Sequence, residues 1–116
     1  YVGVGADPQN VYVASDTGEV LALSRANGSE RWRSDALLRR GPTTVVPFDD
    51  AVVVGDFDGY VHFFSKADGS TVARVRAGKG MLSGPPVVIG DRLYVQSESG
   101  RLEVFVVDRP EQSDDT

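Results

Sequence analysis

Apolar and polar positions alternate along the chain in short blocks, each closed by a polar or glycine-containing break, and the blocks return in register every 41 residues. At that offset Val11-Tyr12-Val13 stacks on Val52-Val53-Val54 and on Leu93-Tyr94-Val95, Val20 on Val61 and Leu102, and Leu23 on Phe64 and Phe105. The breaks recur too: Gly18 aligns with Gly59 and Gly100, Gly28 with Gly69, and Asp50 with Asp91. So many coincidences at one offset identify a tandem array. A period near 40 made of short strands is that of β-propeller blades.

The middle repeat predicts four strands over residues 43–48, 51–56, 60–65 and 70–76, separated by Asp49-Asp50, Asp58-Gly59 and Asp68-Gly69. Asp-Gly supplies the positive φ that tight hairpin turns need, so the strands form an antiparallel meander. The first repeat predicts strands over residues 2–5, 10–15, 19–24 and 29–33, and the third over 85–89, 92–97 and 101–107. Val61 and Phe63 point one way and Phe64 the other, which suits a sheet covered on both faces by neighbouring sheets. The predicted fold is all-β: a partial propeller of about three four-stranded blades, at residues 1–41, 42–82 and an incomplete 83–107.

The outer strand of the third blade is missing from this pattern. Its register falls on the polar stretch Glu111-Gln112-Ser113-Asp114-Asp115-Thr116, and residues 108–116 read as a disordered acidic tail. Residues 101–107 would then form an open edge, through which the chain on its own is expected to self-associate.

Net charge is −5, and −3 of it lies in the tail, so the body is nearly neutral and offers no basic stripe for nucleic acid. With no cysteine there is no disulfide, thiolate metal site or cysteine nucleophile. No apolar run is long enough to span a membrane as a helix, and no signal peptide is read. The chain begins with Tyr1 inside a repeat already under way, and reads as a piece of something longer.

Ala22-Leu23, Gly28 and Trp32 of the first repeat are spaced as in the pyrroloquinoline-quinone (PQQ) type propeller repeat, which they resemble; Ala73 stands where Trp32 aligns in the second. Within that superfamily residues 7–107 most resemble the C-terminal blades of the BamB family, lipoproteins of the outer-membrane β-barrel assembly machinery. The likeness is carried by residues 35–40, by 53–62 with its string Val54-Gly55-Asp56-Phe57-Asp58-Gly59-Tyr60-Val61-His62, and by 86–96. The resemblance implies an eight-bladed, non-enzymatic scaffold, lipid-anchored at the periplasmic face of the outer membrane and contacting the POTRA domains of BamA. It carries no contact residue over to a position in this chain. Two other classes share the repeat grammar: the propeller of a PQQ-dependent dehydrogenase, and a periplasmic or extracellular sensor propeller.

The residues themselves give no catalytic, cofactor-binding or metal-ligating set. Asp56-Phe57-Asp58-Gly59 begins like a calcium loop, but the glycine comes early and an apolar strand follows at once, so it reads as a hairpin turn. His62, the only histidine, aligns with Leu21 and Glu103 and reads as a partly exposed strand residue rather than a base. Lys79-Gly80 lacks phosphate-loop spacing. The remaining candidate is the first inter-blade connection, where Leu37, Leu38, Arg39 and Arg40 combine apolar and arginine side chains as protein-contact loops do.

Overall fold

The computed structural model describes residues 3–42, 45–78, 80, 82 and 86–106. Every regular element among them is a strand. The first sheet is β1 (Gly3–Ala6), β2 (Asn10–Ala14), β3 (Val20–Ser24) and β4 (Glu30–Ser34), hydrogen-bonded in chain order. The second is β5 (Val45–Phe48), β6 (Ala51–Gly55), β7 (Tyr60–Ser65) and β8 (Thr71–Arg76), again in chain order. The third holds β9 (Val87–Ile89), β10 (Arg92–Gln96) and β11 (Leu102–Val106). All pairings are antiparallel, and three sheets of 4, 4 and 3 strands make the partial propeller that the 41-residue period predicts.

The turns form for the reasons read from the sequence. In the β6–β7 hairpin the Asp56 amide donates to the Tyr60 carbonyl at 2.9 Å and the Gly59 amide to the Asp56 carbonyl at 3.2 Å. Gly59 sits at φ 88°, and a Cβ there would lie 2.5 Å from the Gly80 carbonyl oxygen. Glycine is thus needed both for its conformation and for the close passage of the next connection. The outer strands begin one residue later than the pattern predicts. Ser29 and Ser70 are drawn into turns instead, their amides donating to Asn27 Oδ1 and Asp68 Oδ1 at 3.0 Å each. A register shift recurs at the same repeat position, between Ala22 and Leu23 and between Phe63 and Phe64.

The middle sheet is buried on both faces. Val52, Val54 and Phe64 pack with Tyr12, Ala14, Val20, Ala22, Trp32, Leu37 and Val45 in the space shared with the first sheet. On the opposite face Val53 and Val61 pack with Phe48, Ala77, Leu82, Leu93 and Val95, and Phe63, Val88 and Phe105 border them. Burying each such aliphatic or aromatic side chain contributes about 1.5–3 kcal/mol. Trp32 also fixes the first space by hydrogen bonding: its indole Nε1 donates to the Lys66 carbonyl at 2.8 Å. β11 lies at an edge of the third sheet among the described residues, while the predicted acidic tail, Lys79 and the register of the third repeat's fourth strand lie outside them.

Candidate functional site

The connection from β4 to β5 is held in place by the turns on either side of it. The Arg39 amide donates to the Thr17 carbonyl at 3.3 Å, and the Phe57 amide donates to the Arg40 carbonyl at 3.1 Å. Within the connection the Leu38 amide reaches the Asp35 carbonyl at 3.2 Å and the Arg40 amide reaches Leu37 at 3.0 Å, a tight fold that drives Arg39 to φ 66°. A non-glycine residue in that left-handed region is held there only by surrounding structure.

The four residues singled out in the sequence separate into distinct roles. Leu37 is fully buried in the core between the first two sheets. Leu38 is 47% exposed and Arg39 is exposed, so these two are presented outward, beside Phe57 at 46% exposure on the adjoining turn. Arg40 turns inward, and its Nε donates to Asp56 Oδ2 at 2.9 Å.

Asp56 is the hub of this region. Its side chain is fully buried, Oδ1 accepts the amides of Asp58 at 2.9 Å and Tyr60 at 3.1 Å, and Oδ2 is shared by Arg40 and by His62 Nε2 at 2.7 Å. Burial works to raise its pKa, but the bonds from His62, Arg40 and the two amides outweigh it and hold the carboxyl below its usual range. In the other repeats the same position is Ser15 or Ser97, whose hydroxyls bond Thr17 Oγ1 at 2.9 Å and Ser99 Oγ at 2.7 Å. The second repeat puts a buried charge where its neighbours close the turn with neutral hydroxyls.

His62 corrects the sequence reading: it is 4% exposed, not a partly exposed strand residue. Alignment with Leu21 and Glu103 suggested a tolerant position, yet Asp56 supplies an acceptor that makes burial of an imidazole possible. Tyr60 and Phe64 flank its ring at 6.4 and 6.3 Å between centroids. Burial lowers the His62 pKa, Asp56 opposes that shift, and the charges of Arg40 and Arg74 add to it, so the ring stays neutral and donates from Nε2. No hydroxyl is bonded to His62 among the described residues, so the His–Asp pair is not set beside a nucleophile. What it does is fasten the connection, through Arg40, to the second sheet.

Tyr60 stands in the 53–62 string with no role of its own read there, and Arg74 and Arg76 gave no motif in the sequence. The guanidinium carbons of Arg74, Arg76 and Arg40 lie 4.8, 5.2 and 5.5 Å from the Tyr60 ring centroid. The signal that could have found them is departure from the repeat: Asp56, Tyr60, His62 and Arg76 stand where the first repeat has Ser15, Glu19, Leu21 and Asp35, while Arg74 keeps the arginine of Arg33. Arg33, by contrast, is met by Glu19 and Glu30 at 2.9 Å each on an exposed strand, so this cluster contributes little to stability.

Comparison with known proteins agrees with this geometry. The profile of the family described as outer membrane protein assembly factor BamB matches residues 2–102. The chain is 37% identical over 107 residues to the outer membrane protein assembly factor BamB of Pseudomonas aeruginosa, covering 92% of this chain and 28% of that protein. It is 36% identical over 98 residues to that of Shewanella oneidensis, covering 84% and 25%. The crystal structure of BamB from Moraxella catarrhalis superposes with a TM-score of 0.81 at 33% identity, over 90% of this chain and 30% of that one. The designed protein Ika4 superposes at a TM-score of 0.78 over 90% of this chain and 64% of its own, and at 13% identity it speaks for the fold alone. The chain thus spans about a quarter of the length of the relatives it matches, and across that span it belongs to the BamB family of outer membrane protein assembly factors.

Proposed function

We propose that this chain is part of a non-enzymatic scaffold of the outer-membrane β-barrel assembly machinery, working at the periplasmic face of the outer membrane and supporting barrel insertion through protein contacts. The observation that carries the reading is the family match over residues 2–102. The relatives are named for assembly and not for a reaction. The mechanism is rigid presentation: stacked sheets hold connections at fixed positions, so binding a partner costs little ordering of the loop.

The partner in this reading is the POTRA region of BamA, as the family resemblance implies. The contact is the β4–β5 connection, with Leu38 and Arg39 as the presented side chains and Leu37 and Arg40 as its anchors, one in the core and one on Asp56. Two locked ends and two outward side chains are what a preformed contact loop requires.

The test is co-purification of the full-length protein with the barrel subunit. Leu38→Ala with Arg39→Ala should lower recovered partner at least tenfold while the thermal transition of the protein stays in place. Unchanged recovery would remove this loop as the contact.

A further inference from the structure

The outer strands of the first and second sheets are related by the 41-residue repeat, yet the carboxylates that surround the first are absent from the second. Arg33 of β4 donates to Glu19 and Glu30. Arg74 of β8 stands at the position of Arg33, but Tyr60 replaces Glu19, Thr71 replaces Glu30, and Arg76 replaces Asp35. Three carboxylates of the first repeat are therefore exchanged for a phenol, a hydroxyl and a guanidinium.

The result is a concentration of positive charge that the fold does not neutralise. Arg40 is met by Asp56, whereas neither Arg74 nor Arg76 has a carboxylate within ion-pair distance among the described residues. Arg76 Nε donates instead to the Gly78 carbonyl at 3.0 Å. Three guanidinium groups gathered on one tyrosine ring repel one another, and a carboxylate arriving there relieves that repulsion.

The surface is also open and geometrically regular. β8 is the outermost strand of its sheet and all six of its residues are exposed. Arg74 and Arg76 stand opposite His62 and Tyr60 and so share one face. An extended chain repeats its side chains on one face at the same two-residue spacing. Beside Arg76 lies a cavity of about 420 Å³ lined by Arg76, Gly78, Ser99 and Arg101; Arg101 is paired with Glu103, so the positive charge left without a carboxylate stays on β8.

We propose that Arg74 and Arg76 over Tyr60, with Arg40 behind them, form a docking surface for an acidic, extended segment of a partner polypeptide that carries carboxylates at alternate positions. In a chain of net charge −5 this patch is a local reversal of sign, which steers an acidic segment to it and sets its register. The surface goes beyond the contact loop proposed above and does not depend on it, since Leu38 and Arg39 take no part.

The probe is a labelled peptide with glutamate at three alternate positions, Ser-Glu-Val-Glu-Val-Glu-Ser, titrated by fluorescence anisotropy against the full-length protein at low and at physiological salt. Binding should weaken as salt rises. Arg74→Glu with Arg76→Glu should weaken it at least tenfold and create affinity for the matching lysine peptide. Arg92→Glu, a charge reversal on β10, should leave it within twofold, and the glutamine version of the peptide should not bind. Should the double reversal fold poorly, Arg74→Gln with Arg76→Gln provides the same comparison with the charge removed. Loss of binding with Arg92→Glu as large as with the double reversal would reduce the effect to net charge and overturn the proposal. So would peptide binding that ignores Arg74 and Arg76, which would leave these arginines as guards against edge pairing only. Binding of anionic phosphatidylglycerol vesicles through the same arginines, with no binding of the peptide, would assign the surface to a membrane and overturn it as well. Unlike the co-purification test, this one is unmoved by Leu38→Ala with Arg39→Ala, so the two readings fail separately.

Discussion

The two spaces between sheets solve one packing problem in opposite ways. In the first, Ala22 on β3 faces Trp32 on β4, and the indole reaches across to lie on Gly69 and bond the Lys66 carbonyl. In the second repeat the cross-strand pair is Phe63 on β7 and Ala73 on β8. The large residue has moved from the outer strand to its inner neighbour, where Phe63 meets Phe105 of the third sheet edge-on at 5.6 Å. Ala73 is thus one half of an exchange of volume rather than a simple decay of the repeat. A groove lined by Phe48, Ala51, Phe63, Val72, Ala73 and Val106 together with Asp49, Asp50 and Ser65 opens beside the outer strand of the second sheet.

The sharpest way to break the comparison is to remove the aromatic that spans the first space. Trp32→Ala should destabilise by about 3–5 kcal/mol, as for other buried tryptophans, with the lost indole bond included. Urea unfolding of the full-length protein followed by circular dichroism would measure it; a loss below 1 kcal/mol would mean that the sheets are joined chiefly by their inner strands.

Gly69 and Gly28 sharpen the same point because they occupy one repeat position at φ 77° and 76°. A Cβ on Gly69 would lie 2.4 Å from the Trp32 ring, whereas one on Gly28 meets no described atom within 4 Å. Gly28→Ala should cost only the backbone strain of about 1–2 kcal/mol. Gly69→Ala should add about 1–3 kcal/mol of overpacking. If the ring is responsible, that difference disappears in a Trp32→Ala background, and a persistent difference would assign it to the backbone.

The fold was legible because period, turn residues and strand composition all point the same way. Gly59 and Gly69 mark turns whose backbone needs them, and Val52 to Val54 fill both faces of a covered sheet. The interaction surface was less legible. Leu37 and Leu38 are adjacent and chemically alike, and only the path of the connection buries one and presents the other. His62 was misread because a strand position aligned with Leu21 and Glu103 gives no sign of Asp56, six residues away and brought back by a hairpin. The exchange of Trp32 for Phe63 needs the cross-strand register, which a one-dimensional alignment does not contain.

The turns differ between repeats as the interfaces do, and the charge in the second is testable by substituting its neighbours' residue. Asp56→Ser should keep the hairpin but leave Arg40 and His62 without their acceptor, at a cost of about 1–3 kcal/mol. Acid should expose the same group. His62 is held neutral in the fold, so below its ordinary pKa of about 6.5 the unfolded chain binds the extra proton and stability falls as pH drops from there. Asp7 adds a second, lower step: burial works to raise its pKa, but bonds from Tyr12, the Asn10 and Gln9 amides and Lys66 outweigh it and leave the value at about 2, so its contribution is lost as pH falls below about 4. His62→Leu should flatten the urea midpoint between pH 5 and pH 7.5 and leave the Asp7 part of the lower step in place, while Asp56, deprived of its bond from His62, gives up part of its own contribution there. A midpoint that still falls over that range would place the titrating group elsewhere.

The smallest effect is the most informative about the exchange itself. Ala73→Trp alone places a large residue on the exposed outer strand opposite Phe63, over the open groove, and should change stability by no more than about 1 kcal/mol. Phe63→Ala alone leaves a gap on the third-sheet side, with a loss near or below about 3 kcal/mol because the ring is only partly buried. Combined, the two changes recreate the Ala22 and Trp32 pairing of the first repeat, so the double variant should be more stable than the sum of its parts by about 0.5–3 kcal/mol. Strict additivity in the cycle would show that Phe63 and Ala73 vary independently, and the apparent trade of volume between adjacent strands would then be a coincidence of two unrelated positions.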